Sequence, residues 1–134
     1  MKINVLLFDS DISSVAMVQD SNYKYILPSL DSREDENMFT VGRRVLSEKL
    51  NLDCDITLNF LSSESGSQIT HKGTRVVNET NLFAIIDSKY EGRLFDKAVW
   101  VKVPYVINMS TDNIEMLRTY YNILSAHKLL SNNK

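Results

Sequence analysis

The run Ile3-Asn4-Val5-Leu6-Leu7-Phe8 limits what this chain can fold into more than any other feature. It is apolar but for Asn4, and it meets Asp9 and Asp11 at once. A short apolar run bounded by polar residues fits a buried strand. A membrane span needs about 18 apolar residues in a row, and no stretch of the chain supplies them. A signal peptide would run longer and end in small residues, so the segment reads as structure.

The rest of the chain continues in short units. Residues 15–19 and 23–27 flank Asp20-Ser21-Asn22, which is turn chemistry, so they read as a hairpin. Pro28 has no N–H for a ladder bond and ends the second strand. Residues 29–37 read as a solvated loop, with Asp31, Arg33, Glu34, Asp35 and Glu36. Its carboxylates precede a helix, where negative charge is favourable. Residues 39–50 show helical spacing through Phe39, Val41, Val45, Leu46 and Leu50, and Asn51 suits the left-handed cap.

Ile56, Leu58 and Phe60 alternate, which predicts a half-buried strand over 55–61. Glu64-Ser65-Gly66-Ser67 reads as a turn, residues 74–77 and 81–87 as β, and 88–96 as a loop with Gly92. Residues 98–103, carrying Trp100, form another strand that Pro104 closes. Thr111 or Asp112 caps a final helix through Met116, Leu117, Tyr120, Tyr121, Leu124 and Leu129, and the last four residues fray. With no repeat, linker or low-complexity block, the expectation is one domain over residues 1–134. Its class is α/β (α+β), a mixed sheet sandwiched between helices.

Composition narrows function by exclusion. The chain is 43% hydrophobic and 24% charged, as ordinary globular proteins are. A net charge of -2 argues against non-specific nucleic-acid binding, which needs many cation–phosphate contacts. A small nucleotide needs only a local basic pocket and stays open. The single Cys54 can form neither an internal disulfide nor a thiolate metal site, and it fits a reducing cytoplasm. The Asn-, Lys- and Ile-tolerant composition suits an AT-rich genome, a viral one among them.

Residues 27–52 carry a motif. They run Leu27-Pro28, then Glu36, then Arg44-Val45-Leu46-Ser47-Glu48-Lys49-Leu50-Asn51-Leu52. This resembles the Nudix box, G-x5-E-x7-R-E-U-x-E-E-x-G-U, where U is a large aliphatic residue. Glu36 falls on the first Glu, Arg44 on the Arg, Leu46 and Leu52 on the aliphatic positions, and Glu48 on the first Glu of the pair. The Leu-Pro lead-in, the strand pair before the box, the later strands and the final helix extend the resemblance over nearly the whole chain. Leu30 and Asn51 replace the two glycines, Val45 replaces the Glu after Arg, and Lys49 replaces the second paired Glu.

The resemblance implies a helix whose carboxylates hold Mg²⁺ or Mn²⁺ against a diphosphate. Positions 45 and 49 are four apart and share a helix face. Valine offers no ligand there and lysine offers a repelling charge, although hard cations require oxygen donors. Three functions follow. The leading one is a catalytically degenerate module that binds a nucleotide or nucleoside diphosphate derivative as sensor, sequestering protein or regulator. Arg44, Lys49 and Arg43 would then contact the ligand, with the Lys49 ammonium taking the metal's place. The second is a divergent hydrolase in which Glu36 and Glu48 bind Mg²⁺ or Mn²⁺ and Glu48 is catalytic. The third is a protein-interaction module or inhibitor with a filled pocket. Glu91 and Asp96 are weighed as an extra metal ligand or base and read as solvated. His71 and His127 read as surface or structural residues, and Trp100, Tyr120 and Tyr121 as core.

Overall fold

The computed structural model describes residues 1–21, 23–70, 72–108 and 113–132. Asn22, His71, the cap expected at Thr111 or Asp112 and the last two residues of the tail lie outside them. The apolar run forms β1, Lys2–Phe8, buried from Ile3 onward. Around it lie β2 (Ser14–Gln19), β3 (Tyr25–Ile26), β4 (Ser29–Asp31), helix α1 (Met38–Leu50), β5 (Asn59–Thr70), β6 (Gly73–Ile85), β7 (Ala98–Lys102) and helix α2 (Asn113–Asn132). Two 3-10 helices, Ser88–Arg93 and Val103–Asn108, flank β7.

One sheet has the order β3-β2-β1-β6-β5, with β4 also paired to β1 and β7 to β2. β1 and β6 run parallel from Lys2↔Glu79 to Phe8↔Ile85, whereas β1 pairs antiparallel with β2 and β4. The sheet is therefore mixed. Alternation along β1 sorts its side chains between two layers. Leu6 and Phe8 pack with Ile123 and Ala126 of α2. Val5 and Leu7 pack on the opposite face with Val45, Leu46 and Leu50 of α1. The sandwich expected from the element order is present.

The hairpin forms, with Val18↔Ile26 and Gln19↔Tyr25 paired. Ser29–Asp31 is a strand and not loop, because β1 offers it an open edge at Lys2, Ile3 and Asn4. Ile56 and Leu58 turn inward from irregular chain, and the strand begins only at Asn59. Residues 64–67 are not a turn. They sit inside a long antiparallel hairpin in which Glu64 faces Glu79 and Gly66 faces Val77. The two β segments expected at 74–77 and 81–87 are one strand. Pro104 does follow the last strand, within a 3-10 helix. Phe39 and Tyr121 are exposed and do not join the core.

Helix α1 is bounded as its chemistry requires. The Asn37 side chain accepts the Phe39 N–H at 2.8 Å, satisfying one orphan donor of the first turn. Asn51 adopts φ 61° at the other end, and the Leu52 N–H donates back to the Leu46 carbonyl at 2.8 Å. Gly42 lets the helix lie close to its neighbours, since a Cβ there would meet Leu58 and Leu82 methyls at 2.8 Å.

Candidate functional site

The residues retained from the motif form an ion-pair set at the start and along one side of α1. The Glu36 carboxylate accepts the Arg33 N–H at 2.6 Å. It also takes a two-pronged contact from Arg44, Nη2 at 2.9 Å and Nε at 3.1 Å. On its other side Arg44 Nη1 lies 3.5 Å from Glu48 Oε2, one helical turn along. The Arg33 N–H holds the Glu36 carboxyl below its ordinary range, with partial burial opposing and the Arg44 guanidinium assisting. The Glu36 N–H donates back to the Arg33 carbonyl at 3.1 Å. The set thus clasps the 33–36 turn onto α1.

The substituted positions lie elsewhere on the helix. Val45 is 0% exposed and packs in the core layer that includes Leu7, Ala84 and Ile86. Lys49, one turn further on, is exposed at the rim of that layer. Arg43 is exposed too and borders a shallow open groove of about 350 Å³, with Leu46, Leu52, Asp53, Cys54 and Asp55. The structure therefore brings Glu36, Arg44 and Glu48 together and leaves Arg43 and Lys49 outside that set. Neither Arg44 nor Lys49 lines the groove.

This donor set does not fit Mg²⁺ or Mn²⁺, which the motif implies. The Glu36 oxygens are held by Arg44 and the Arg33 amide. Glu48 is half exposed beside the Arg44 cation, and position 45 carries only methyl groups. Among the described residues no three His, Cys, Asp or Glu side chains gather as a metal site would require.

Two features of the late loop were not anticipated. Glu91 is not solvated as expected. Its Oε1 accepts both the backbone N–H and the hydroxyl of Ser10 at 2.8 Å, while its carbonyl accepts the Trp100 indole N–H at 2.9 Å. It therefore pins the β1–β2 loop to the 3-10 helix Ser88–Arg93. Beside it, Lys89 and Arg93 lie over the Tyr90 ring, at 5.1 Å and 4.7 Å from its centroid. The spacing Lys89-Tyr90…Arg93 is the only sequence signal for that cluster. Asp96 is exposed, as expected.

Comparison with solved structures turns the motif's implication about architecture into a finding. Shewanella oneidensis NrtR complexed with a 27mer DNA superposes with TM-score 0.72 at 19% identity, over 92% of this chain and 59% of that one. This chain thus spans under two thirds of the NrtR chain. The NUDIX domain of the same protein, complexed with ADP ribose, gives 0.67 at 19% identity, covering 90% and 83%. The E. coli dihydroneopterin triphosphate pyrophosphohydrolase gives 0.70 at 14% identity, covering 90% and 94%. The chain has the Nudix fold. No family model matches the sequence, and no curated protein matches it closely enough to count as a relative. Superposition at identities this low shows the fold alone and leaves activity to the residues. No helix among the described residues is long and apolar enough to cross a membrane.

Proposed function

We propose that this chain is a Nudix-fold module that binds a nucleotide or nucleoside diphosphate derivative without metal-dependent hydrolysis. The observation that carries the reading is the burial of Val45 in the core, with Lys49 following it at the rim. Sealed in the core, position 45 offers no ligand to a divalent cation. A methyl group and an ammonium draw none, and the ammonium suits a phosphate directly. A nucleotide as ligand is supported by likeness of fold to the NrtR NUDIX domain, which was crystallised with ADP ribose. Glu36 and Arg44 act here as the clasp that fixes the loop before α1, and Glu48 is their exposed third member. Arg43 stands nearby as an outer cation.

Titration of the protein with ADP ribose, ADP and a nucleoside triphosphate in EDTA tests this reading. Saturable binding between micromolar and millimolar concentration is expected. Absence of binding across that range overturns it.

A second reading, a protein-interaction module, is favoured by one observation. The groove beside α1 is bordered by neither Arg44 nor Lys49, and two carboxylates line it. Failure of every nucleotide to bind, together with a defined complex on light scattering, would decide for this reading.

A further inference from the structure

Two cations on the 3-10 helix after β6 are tied, through its backbone, to the end of α1 that carries Lys49 in place of a carboxylate. Lys89 and Arg93 belong to the 3-10 helix Ser88–Arg93 and share the Tyr90 ring, 5.1 Å and 4.7 Å from its centroid. Tyr90 is half-buried and packs against the core layer that contains Val45 and Leu50. Asn51 ends α1 two residues after Lys49, and its side-chain amide donates to the Arg93 carbonyl at 3.0 Å. The end of α1 is thereby tied to the segment bearing Arg93. Lys49 lies two residues before the tied Asn51, Lys89 and Arg93 lie on the tied segment, and all three are exposed.

The acidic residues of the same segment are turned to other work. Asp87 caps the 3-10 helix, accepting the Lys89 N–H at 3.2 Å. Glu91 is committed to Ser10 through two bonds of 2.8 Å. Among the described residues no ion pair holds Lys49, Lys89 or Arg93. A tyrosine face attracts cations and keeps both side chains near one position. Two like charges held near one ring repel each other, and a multivalent anion that contacts both relieves that repulsion. Guanidinium and ammonium together match a diphosphate, one by paired N–H groups and one as a point charge.

We infer that Lys89 and Arg93, held over Tyr90, form with Lys49 a metal-independent diphosphate-binding site at the junction of α1 and the 3-10 helix Ser88–Arg93. The site rests on the nucleotide-binding reading and locates the charged part of that ligand. Tyr90 is a positioning residue, because its ring engages both cations.

The test is calorimetric titration in EDTA with inorganic pyrophosphate, ADP and adenosine. The proteins are the parent, Lys89→Ala, Arg93→Ala, the double variant, Tyr90→Leu, and Lys128→Ala on α2 as control. Pyrophosphate and ADP should bind the parent, and adenosine should bind at least tenfold more weakly. Each single cation variant should weaken ADP about tenfold, the scale of one charge-assisted contact, and the double variant more. Tyr90→Leu keeps both cations and an apolar side chain, and it should still weaken binding. Lys128→Ala should not. Pyrophosphate binding as tightly as ADP would identify the diphosphate itself as ligand. Tighter ADP would add the nucleoside, and both support the site. ADP binding unchanged in the double variant would overturn this site while leaving the nucleotide reading intact. Adenosine binding as tightly as ADP would do the same. No binding by any probe would overturn both.

Discussion

Restoring the missing carboxylate by Val45→Glu should damage the protein instead of reviving it. Val45 is 0% exposed among Leu7, Ala84 and Ile86, so the new side chain enters a dry layer. A glutamate there stays folded at pH 7 only by holding its proton. Holding it, for a group that ionises near 4.3 when solvated, costs about 4 kcal/mol. The buried acid also lacks hydrogen-bond partners, which adds about 1–3 kcal/mol. Together these reach about 5–7 kcal/mol, against a total stability of about 5–15 kcal/mol for a domain. In a chain this size that lowers Tm by about 15–25 °C.

The sign of the pH dependence follows from which state releases the proton. The unfolded glutamate ionises above about pH 4.3 and the buried one does not, so the deficit grows as pH rises. Lowering pH from 7 to 5 should recover about 3 kcal/mol relative to the parent. Val45→Ala should cost about 2 kcal/mol at every pH, as a simple cavity does. Urea denaturation followed by circular dichroism at pH 5, 6 and 7 reads all of this. A Val45→Glu protein within about 1 kcal/mol of the parent at pH 7, with no pH trend, would refute the reasoning. The side chain would then reach water, and the missing carboxylate would be one reversible substitution.

Three further predictions concern the same helix and the residues at its two ends. Glu36→Gln removes a carboxylate whose ionised form the Arg33 N–H and Arg44 favour. Its contribution is present above its unfolded pKa and is lost as pH falls through the lower folded value. Acid denaturation of the variant should therefore show a flatter acid limb below about pH 4.5, and an unchanged limb would contradict the clasp. Asn51→Ala places a Cβ-bearing residue without a cap side chain at φ 61°, so it should lose about 1–2 kcal/mol in urea denaturation. Asn51→Gly should lose less, because glycine accepts that conformation freely. Gly42→Val puts methyls where a Cβ already meets Leu58 and Leu82 at 2.8 Å, and thermal denaturation should report a loss of about 1–3 kcal/mol.

What the sequence revealed follows the reach of its signals. Covalent spacing was enough for β1, for α1 with its Asn51 end, and for the alignment of Glu36, Arg44 and Glu48. These depend on neighbours within a few helical turns. The strand Ser29–Asp31 was hidden because its polar residues gain their ladder from β1 and not from burial of their own. Residues 64–67 read as a turn for the same reason, since β6 and not a core holds them extended. The inward role of Glu91 depends on Ser10, 81 positions away, which no local pattern records. Helical spacing placed Val45 on the apolar stripe, but its complete exclusion from water depends on partners that spacing does not show. Its neighbours Leu7, in β1, and Ile86, just past the end of β6, lie far from it along the chain.

The most direct test of the account is turnover of a nucleotide panel followed by mass spectrometry. The panel holds nucleoside triphosphates, sugar nucleotides, dinucleoside polyphosphates and dinucleotide cofactors, each with Mg²⁺ or Mn²⁺, and Glu48→Gln runs in parallel. The account predicts no product from any member with either protein. Metal-dependent product from the parent that disappears in Glu48→Gln would contradict it, and would show that Glu48 still serves hydrolysis despite Val45 and Lys49.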